Sequence, residues 1–408
     1  MTLKSDVGYP KIAFAILGIA FVLRLTWAAL VPVVPMGDGV AYNALAHTLA
    51  HRGVYGWDAV SPSAYWPPGT SAVYAALYVI FGETFGPIVI LNSILSLSVI
   101  ALTMWLGNMF IGKPAGSLAG FLMAIWPGEV TYVTLLASEL PFTFLVLVGC
   151  AVWFNSNLSN LARSVMSGLA FGAATYFRSL AFLLPAVLWL SAIPKWKKLR
   201  EGAMVTLAVT LVIGLLISPW SVRNARIFGH FVPMTTADGV NLWMGNNVKS
   251  DGFYMPLPAP VRGLNEYDQN RILTEDALLH IVEHPGVFVV RVFEKAALLH
   301  LRETIAITWN TEGIKQRFGE NAIWSFKLVS QVFWTFALLF ALAGIVILVR
   351  RRGLLETLMS PPVLLWIYFT AVYSVFVVAD RYHFPSHPFM SMLAAVTILA
   401  GARRIPSF

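Results

Sequence analysis

A small set of ionisable side chains stands beside apolar segments, where charge is costly. Asp38 lies between two glycines after the first apolar segment, and Glu139 begins a later one. Arg178, Arg223 and Arg381 occur in short segments that are flanked by apolar residues. Ionisable groups retained at membrane depth usually line a site or a pathway. These five residues are therefore candidates for a functional site.

An isolated carboxylate with several guanidinium groups suits group transfer from a phosphate-linked donor. Asp38 would act as general base on an acceptor hydroxyl, a role that typically contributes about 10²- to 10⁴-fold in rate. The arginines would bind the departing phosphate and stabilise the charge that develops on it. Structural roles stay open for both acids, because Asp is a favoured helix N-cap and Glu suits the first turn of a helix.

Three further patterns bear on cofactors. His47 and His51 have the i, i+4 spacing of a helical metal pair, but no third ligand is evident nearby, so no metal site is predicted. The chain has no glycine-rich nucleotide loop, which argues against ATP or a nucleotide sugar as ligand. The single cysteine, Cys150, cannot form an internal disulfide. No cofactor is predicted, and dependence on a divalent cation is left open.

The composition places these residues in an integral membrane protein. Hydrophobic residues make up 58% of the 408 residues and charged residues 12%, which is about half the charged fraction of a soluble globular protein. The net charge of +8 could indicate a nucleic-acid partner, but the basic clusters occur in short loops between apolar segments. This distribution is typical of cytoplasmic loops. We therefore predict contact with membrane lipids and no nucleic-acid partner.

Apolar segments recur through the chain and predict an all-α bundle of about ten transmembrane helices, within a range of about nine to twelve. They lie at residues 11 to 33, 87 to 110, 115 to 127, 138 to 155, 164 to 177, 181 to 194, 202 to 219, 323 to 349, 361 to 379 and 387 to 402. With the amino terminus inside, every basic cluster falls on the inner side, including residues 195 to 200, 350 to 352 and 403 to 404. Both termini are therefore predicted to be cytoplasmic, and residues 1 to 408 to form one membrane domain.

Two outer regions, residues 34 to 86 and 220 to 322, are too long to be simple turns. Residues 40 to 51 alternate polar and apolar side chains with helical period, which predicts a helix at the membrane interface. Residues 285 to 309 predict an amphipathic helix whose charged stripe includes Lys295. That stripe either faces the headgroups or contacts a phosphate.

The same topology delivers the candidate residues to one face of the membrane. Asp38 and Glu139 come from the first half of the chain, whereas Arg223 and Arg381 come from its middle and end. Their convergence on the outer side, together with Arg178, is the main sequence evidence for a site there.

Several segments, in order along the chain, resemble the GT-C glycosyltransferases, in particular the bacterial relatives of the protein O-mannosyltransferases and the lipid A aminoarabinose transferase. They include "GDGVAYNALAHTLAHRGVYG", "LLASELPFTFLV", "ATYFRSLAFLLPA", "SPWSVRNARIFGHFVPMTTADGVNLWMGNN" and "DRYHFPSHPFM". The resemblance covers almost the whole chain. It implies a GT-C bundle with juxtamembrane helices on the outer face.

The resemblance also implies an activity and roles for individual residues. The enzyme would transfer a hexosyl or pentosyl group, with inversion, from a polyprenyl-phosphate donor to a hydroxyl of a lipid, glycan or protein acceptor. The reaction would take place on the periplasmic or exoplasmic side of the cell's inner membrane. Asp38 matches the family's proposed catalytic base, and Glu139 matches the acid of the next outer loop. The looser correspondences to donor-phosphate or substrate contacts are Tyr42, Arg178, Arg223, Asn224, Lys295, Arg381, Tyr382 and His383.

The chain departs from the mannosyltransferase pattern in carrying a single acid in "GDG" rather than an adjacent acidic pair. It also shows no soluble carboxy-terminal domain, so a protein is the least expected acceptor. A transporter or flippase for a lipid-linked saccharide would share the outer charges, but the two halves show none of the repeat symmetry expected of one. A polysaccharide polymerase or ligase with a lipid-diphosphate donor is the other alternative.

Overall fold

The computed structural model describes residues 8 to 194 and 199 to 402. Within these ranges the chain is all helix and connecting loop, and the one β pairing is an isolated bridge between Gly56 and Pro62. The all-α prediction is therefore confirmed. Some of the basic residues predicted on the inner side lie outside the described residues, namely Lys4, Lys195, Lys197, Lys198, Arg403 and Arg404.

Nineteen α-helices form the described part of the chain. The first ten are α1 (Gly8–Leu30), α2 (Asp38–Arg52), α3 (Gly69–Phe81), α4 (Gly86–Phe110), α5 (Lys113–Ile125), α6 (Pro127–Thr131), α7 (Glu139–Trp153), α8 (Asn160–Thr175), α9 (Leu184–Leu190) and α10 (Leu199–Phe228). The others are α11 (Asp238–Gly245), α12 (Glu266–Glu283), α13 (Pro285–Leu301), α14 (Ile305–Trp309), α15 (Thr311–Phe318), α16 (Asn321–Arg352), α17 (Leu354–Leu358), α18 (Pro361–Val375) and α19 (His387–Gly401). A 3-10 helix at Asp380–Ser386 leads directly into α19.

Five helical segments of the described chain are long and apolar enough to cross a membrane. They are Pro10–Leu30 of α1, α4, α10, α16 and the continuous stretch Asp380–Gly401. A sixth crossing is available if the segments on either side of a 117° bend, Pro127–Thr134 and α7, form one span. The chain is thus a multi-pass membrane protein.

The ten predicted spans all coincide with helices, but several of those helices are short. Helix α5 has 13 residues and α8 has 16, whereas a free-standing span needs about 20. Both pack inside the bundle, where Gly116 of α5 lets the α4 backbone approach closely. An added Cβ at that position would lie 2.4 Å from the carbonyl oxygen of Met104.

A buried arginine ties three helices together within the bundle. Arg24 of α1 is 1% exposed, and its guanidinium donates to Ser96 Oγ of α4 at 2.7 Å. It also donates to the carbonyl oxygens of Ala124 at 2.8 Å and Met123 at 3.2 Å, at the end of α5. Carbonyls in the last turn of a helix lack intrahelical partners, so Arg24 satisfies groups that the short helix α5 leaves open.

The two outer regions form one layer because Glu266 joins them. Its carboxylate accepts hydrogen bonds from Ser63 Oγ at 2.6 Å and from the backbone N–H of Ala64 at 2.9 Å. The same carboxylate accepts a hydrogen bond from Thr236 Oγ1 at 3.1 Å. Residues 34 to 86 and 220 to 322 are therefore not independent loops.

Helix α13 is amphipathic as predicted. Unlike an ordinary surface helix, it exposes apolar side chains and buries a charged one. Phe293 is 73% exposed, whereas the charged Lys295 is 1% exposed. The apolar side of α13 points away from the protein, as suits a helix in contact with lipid. Lys295 therefore does not face the lipid headgroups, whereas Glu294 and Arg302 of the same charged stripe are exposed.

Candidate active site

The local backbone places Asp38 at the first position of helix α2. The preceding residue, Gly37, has φ 56°, a conformation that side-chain-bearing residues rarely adopt. A Cβ at Gly37 would also lie 2.6 Å from the Trp309 ring. Asp38 itself is not the N-cap, since Gly37 holds that position and no side chain caps the helix. The N-cap interpretation of Asp38 was therefore wrong, and its carboxylate is directed elsewhere.

Four charged residues form a chain of ion pairs across helices α2 and α7, the end of α8 and the 3-10 helix before α19. Arg381 Nη1 lies 2.7 Å from Asp38 Oδ2, and Arg381 Nε lies 4.0 Å from Glu139 Oε1. Glu139 Oε1 also accepts from Arg178 Nη2 at 2.5 Å. The Asp38 side chain is 27% exposed, those of Arg381 and Arg178 are 12% and 11% exposed, and that of Glu139 is 1% exposed, so Glu139 is the enclosed member of the chain.

Hydroxyl and aromatic groups hold the two guanidiniums in place. Arg178 donates through Nη1 to the Tyr373 hydroxyl at 2.7 Å and through Nε to Ser138 Oγ at 3.1 Å. The Tyr382 ring lies 5.5 Å from the Arg178 guanidinium carbon and 5.1 Å from that of Arg381. Such cation–π contacts, together with the ion pairs, fix the orientation of both side chains.

These residues open onto a cavity of about 570 Å³. Its polar lining includes Asp38, Tyr42, Ser138, Arg178, Asp238, Arg381 and Tyr382. Its apolar lining includes Phe177, Leu180, Phe182, Leu183, Val372 and Phe376. We call this cavity the cleft. One part of its wall can bind an anion and another part can bind a hydrocarbon chain.

Arg223 and Asn224, which the sequence placed in the same site, do not line the cleft. Arg223 donates to the carbonyl oxygens of Ser63 at 2.7 Å and Tyr55 at 2.8 Å and lies over the Trp220 ring. Asn224 is buried and donates to the Val232 carbonyl at 3.1 Å. Both side chains are already engaged with backbone carbonyls, so they anchor the outer loop.

Lys295 and His383 are also away from the cleft. The Lys295 ammonium donates to the carbonyl oxygens of Gly245 at 3.1 Å and Val375 at 3.0 Å and to Asn246 Oδ1 at 3.2 Å. Burial lowers the Lys295 pKa to about 8. His383 is 1% exposed and its Nδ1 lies 2.8 Å from the Leu299 carbonyl oxygen. Neither group can reach a phosphate in the cleft without leaving these partners.

Glu139 lies behind Arg178 rather than in the cleft wall, and the fold brings in two residues that sequence reasoning missed. Tyr373 had no sequence signal, because it lies within an apolar helix. Asp238 stands in "ADGVN", a pattern too common to be diagnostic. Asp238 lines the cleft, where partial desolvation by the surrounding protein raises its pKa to about 6.

Comparison with known proteins rests on structure. No protein-family model and no curated protein sequence matches the chain. The oligosaccharyltransferase of Archaeoglobus fulgidus, tethered to an acceptor peptide, matches with a TM-score of 0.54 at 13% identity, over 95% of this chain and 49% of that one. The same enzyme, in complex with an inhibitory peptide and a dolichol-phosphate, matches with a TM-score of 0.56 at 14% identity, over 95% and 50% of the two chains.

The chain has the GT-C fold. A further GT-C structure, ArnT from Cupriavidus metallidurans bound to undecaprenyl phosphate, matches at 14% identity with a TM-score of 0.43, over 98% of this chain and 79% of that one. The present chain spans about half the length of the oligosaccharyltransferase chains that it matches. The shared GT-C fold therefore covers nearly all of this chain and only part of those enzymes.

Proposed function

We propose that this protein is an inverting membrane glycosyltransferase that transfers a hexosyl or pentosyl group from a polyprenyl-phosphate donor to an acceptor hydroxyl. The observation that carries the proposal is the cleft itself, in which the Asp38 carboxylate and two guanidiniums adjoin an apolar wall. A donor of this class has the matching parts: a phosphate, a sugar and a long hydrocarbon chain.

In the proposed reaction, Asp38 accepts the proton of the acceptor hydroxyl. The acceptor oxygen attacks the anomeric carbon while the bond between that carbon and the phosphate oxygen breaks. The electron pair of that bond stays on the departing polyprenyl phosphate, whose growing charge Arg178 and Arg381 stabilise. A single displacement of this kind inverts the anomeric centre. Glu139 acts as a positioning residue, because it holds Arg178 from behind.

The apolar wall supports the choice of donor. Phe177, Leu180 and Leu183 line the cleft beside Arg178, and a prenyl chain against them would leave its phosphate at the guanidinium. A structure of similar fold supports this choice by analogy, since it is a complex with a dolichol-phosphate.

A divalent cation in the cleft is not part of the proposal. One of the similar structures is a complex with zinc and sulfate, but the acids of this cleft do not fit such an ion. Asp38 in the cleft wall and Glu139 behind it each face a guanidinium, and in the described part of the chain neither belongs to a group of three acidic or imidazole side chains that could hold a metal ion. The two arginines supply the positive charge there instead.

The cleft is proposed to face the periplasm or exterior, with both termini in the cytoplasm and the protein in the inner membrane. The described basic residues support this orientation. Arg163, near the start of α8, pairs with Glu201 near the start of α10 at 3.0 Å, whereas Arg178 follows the other end of α8. The triplet Arg350 to Arg352 ends α16, and such basic clusters are typical of the cytoplasmic ends of spans.

The test is a turnover assay with purified protein in lipid nanodiscs. Polyprenyl-monophosphate sugars, hexosyl and pentosyl, are supplied with lipid, glycan and peptide acceptors, and products are identified by mass spectrometry. The proposal expects loss of donor, release of polyprenyl phosphate and an acceptor heavier by one sugar. Consumption of only lipid-diphosphate donors would instead indicate a polymerase or ligase. Movement of intact donor across liposomes without consumption would indicate a flippase.

A further inference from the structure

A second cluster of polar side chains lies behind the cleft, at the beginning of α19. Glu303 comes from the connection between α13 and α14, His383 from the 3-10 helix, and His387 from the first residue of α19. All three are at most 3% exposed. Each offers one ligand atom, and these atoms lie within 4.8 Å of one another. Neither the proposed reaction nor the packing of the bundle requires this combination of groups.

The histidines are held in the way that metal-bound histidines are held. His383 Nδ1 lies 2.8 Å from the Leu299 carbonyl oxygen, and His387 Nδ1 lies 2.9 Å from Glu129 Oε1. A ligating histidine almost always donates its second ring N–H to a carbonyl or a carboxylate, which orients the ring and makes the other nitrogen a better ligand. Nε2 of His387 is buried and has no hydrogen-bond partner. That nitrogen is therefore available to a ligand.

The surroundings of the cluster are buried and closely packed. Trp126 stacks on His387 with ring centres 4.3 Å apart, and Trp334 stacks on His383 at 4.0 Å. Ser330 donates a hydrogen bond to Glu303. Gly128 leaves the room that Glu303 occupies, since a Cβ there would lie 1.9 Å from Glu303 Oε1. Such a shell holds the ligand groups in place and excludes solvent.

We propose that Glu303, His383 and His387 bind a divalent transition-metal ion of the zinc class. Two imidazoles and one carboxylate are a common zinc donor set, and one further oxygen completes the tetrahedron. Ligand atoms around such an ion lie roughly 3.3 Å apart, so the groups need to approach one another by no more than about 1.5 Å. The ion would also balance the charge of a carboxylate that otherwise lies buried among aromatic rings.

The site would position the cleft from behind. His383 lies on the same 3-10 helix as Arg381, and the neighbouring Asp380 Oδ2 accepts from the Thr304 backbone N–H at 3.2 Å. A metal ion joining His383 to Glu303 would fasten this 3-10 helix to the connection before α14. The inference does not depend on the proposed glycosyl transfer, since it concerns groups that do not line the cleft.

A surface cluster in the same chain supplies a matched control. His47 and His51 of α2 lie beside Glu83, whose Oε1 is 3.3 Å from His47 Nε2. It has the same donor types, but its side chains are 46% to 56% exposed, and the described contacts include no second hydrogen-bond partner orienting either imidazole. The structure therefore places Glu83 as a third potential ligand beside His47 and His51. It provides no buried neighbours that would hold these three side chains in position. We expect this surface trio to release a metal ion readily.

The experiment measures metal content in the full-length protein purified in detergent without affinity tags that bind metal. Elemental analysis after dialysis against a weak chelator should find about one zinc ion per chain. Glu303→Gln and His383→Gln should each reduce that content at least tenfold, whereas the double variant His47→Gln/His51→Gln should retain it. Gel filtration confirms that each variant remains monodisperse.

A second measurement avoids variants that fail to fold. Wild-type protein stripped by a strong chelator and titrated with Co²⁺ should develop the visible d–d absorption of tetrahedral cobalt, and one equivalent of Zn²⁺ should abolish it. Wild-type protein that neither retains zinc nor develops this absorption would overturn the proposal. It would also be overturned if Glu303→Gln bound the metal as wild type does, or if the surface double variant lost it.

Discussion

The guanidinium of Arg381 and the carboxylate of Asp38 form an ion pair at 2.7 Å, although the two residues come from opposite ends of the chain. The contact joins the proposed base to a proposed phosphate-binding group. Arg381 also lies 4.6 Å over the Trp309 ring, the same ring that excludes a side chain at Gly37. The position of Asp38 is therefore set on both sides by residues far from it in sequence.

Asp38→Asn should nearly abolish transfer. The amide keeps the shape of the side chain but cannot accept the acceptor's proton, so kcat should fall by about 10²- to 10⁴-fold. Asp58→Asn is the matched control, because Asp58 is an exposed outer acid whose carboxylate only closes a local turn with Val60 and Ser61. Donor consumption is measured by mass spectrometry at saturating substrate. Unchanged kcat in Asp38→Asn would remove this residue as the base.

Arg178→Gln should destabilise the protein through its partner. The substitution leaves the Glu139 carboxylate, 1% exposed, without its closest cation, and breaking one side of a buried pair costs about 3 to 5 kcal/mol. The double variant Arg178→Gln/Glu139→Gln should recover part of the loss. Arg271→Gln breaks only an exposed pair with Glu275 and should have little effect. Thermal unfolding in detergent gives the Tm of the wild type and of these three variants. Equal Tm values for Arg178→Gln and Arg271→Gln would contradict the predicted role of the buried pair.

Arg223→Gln should loosen the outer loop without altering the cleft groups directly. Two carbonyl oxygens, at Tyr55 and Ser63, lose their guanidinium donor. Hydrogen exchange should then be faster over residues 55 to 63, which exchange through local opening, and unchanged in α16. If Arg223 instead binds donor phosphate, exchange would be unaffected while the KM for the donor rises. The two roles are thus separated by one pair of measurements.

The affinity for the donor should fall as pH rises through about 6. Partial desolvation in the cleft raises the Asp238 pKa to about 6, so the carboxyl is mostly neutral below that pH and adds a negative charge to the cleft above it. That charge repels the donor phosphate, so KM should rise between about pH 5 and 7. Asp238→Asn should flatten this rise, whereas Asp251→Asn, on an exposed turn, should preserve it. A wild-type profile in Asp238→Asn would show that another group is responsible.

Gly116→Ala should lower stability whereas Gly214→Ala should not. A Cβ at Gly116 would lie 2.3 Å from Asn108 Oδ1 and 2.4 Å from the Met104 carbonyl oxygen, which forces α4 and α5 apart at a cost of about 1 to 3 kcal/mol. Gly214 has no atom within 4 Å of that position, and alanine there should stabilise the helix by up to about 1 kcal/mol. Tm values in detergent should therefore move in opposite directions.

Sequence patterns predicted the helices better than they predicted side-chain directions. Every predicted span coincides with a helix because apolar composition directly reflects burial in lipid or bundle. Periodicity identified α13 as amphipathic, but it cannot tell which face meets lipid. Lys295 was therefore assigned to the wrong surroundings. The number of helices that cross the membrane also depends on packing, which a hydropathy pattern does not contain.

At the candidate site, too, the sequence predicted which helix ends converge better than it predicted what each side chain contacts. Asp38, Arg178 and Arg381 converge on one cleft because the topology sends their helix ends to the same side. Arg223 has an equally apolar context in the sequence, yet backbone carbonyls of a distant loop occupy its guanidinium. Whether an arginine is available to bind a ligand depends on whether backbone carbonyl oxygens of the folded chain already accept its hydrogen bonds. Residue types and their spacing do not indicate where such carbonyl oxygens will lie.

Arg24 has a consequence for how the protein is made. An arginine near the middle of a span opposes insertion by up to about 3 kcal/mol, and its partners Ser96 and Ala124 lie 72 and 100 residues further along the chain. During synthesis, α1 is therefore complete before these partners exist, and of the acceptors seen in the structure only the Ala20 carbonyl oxygen of its own helix, 3.3 Å from Nη1, is within reach. The hydrogen bonds from Arg24 to Ser96 and Ala124 can form only after α4 and α5 have been synthesised, so α1 reaches its final packing late in biogenesis.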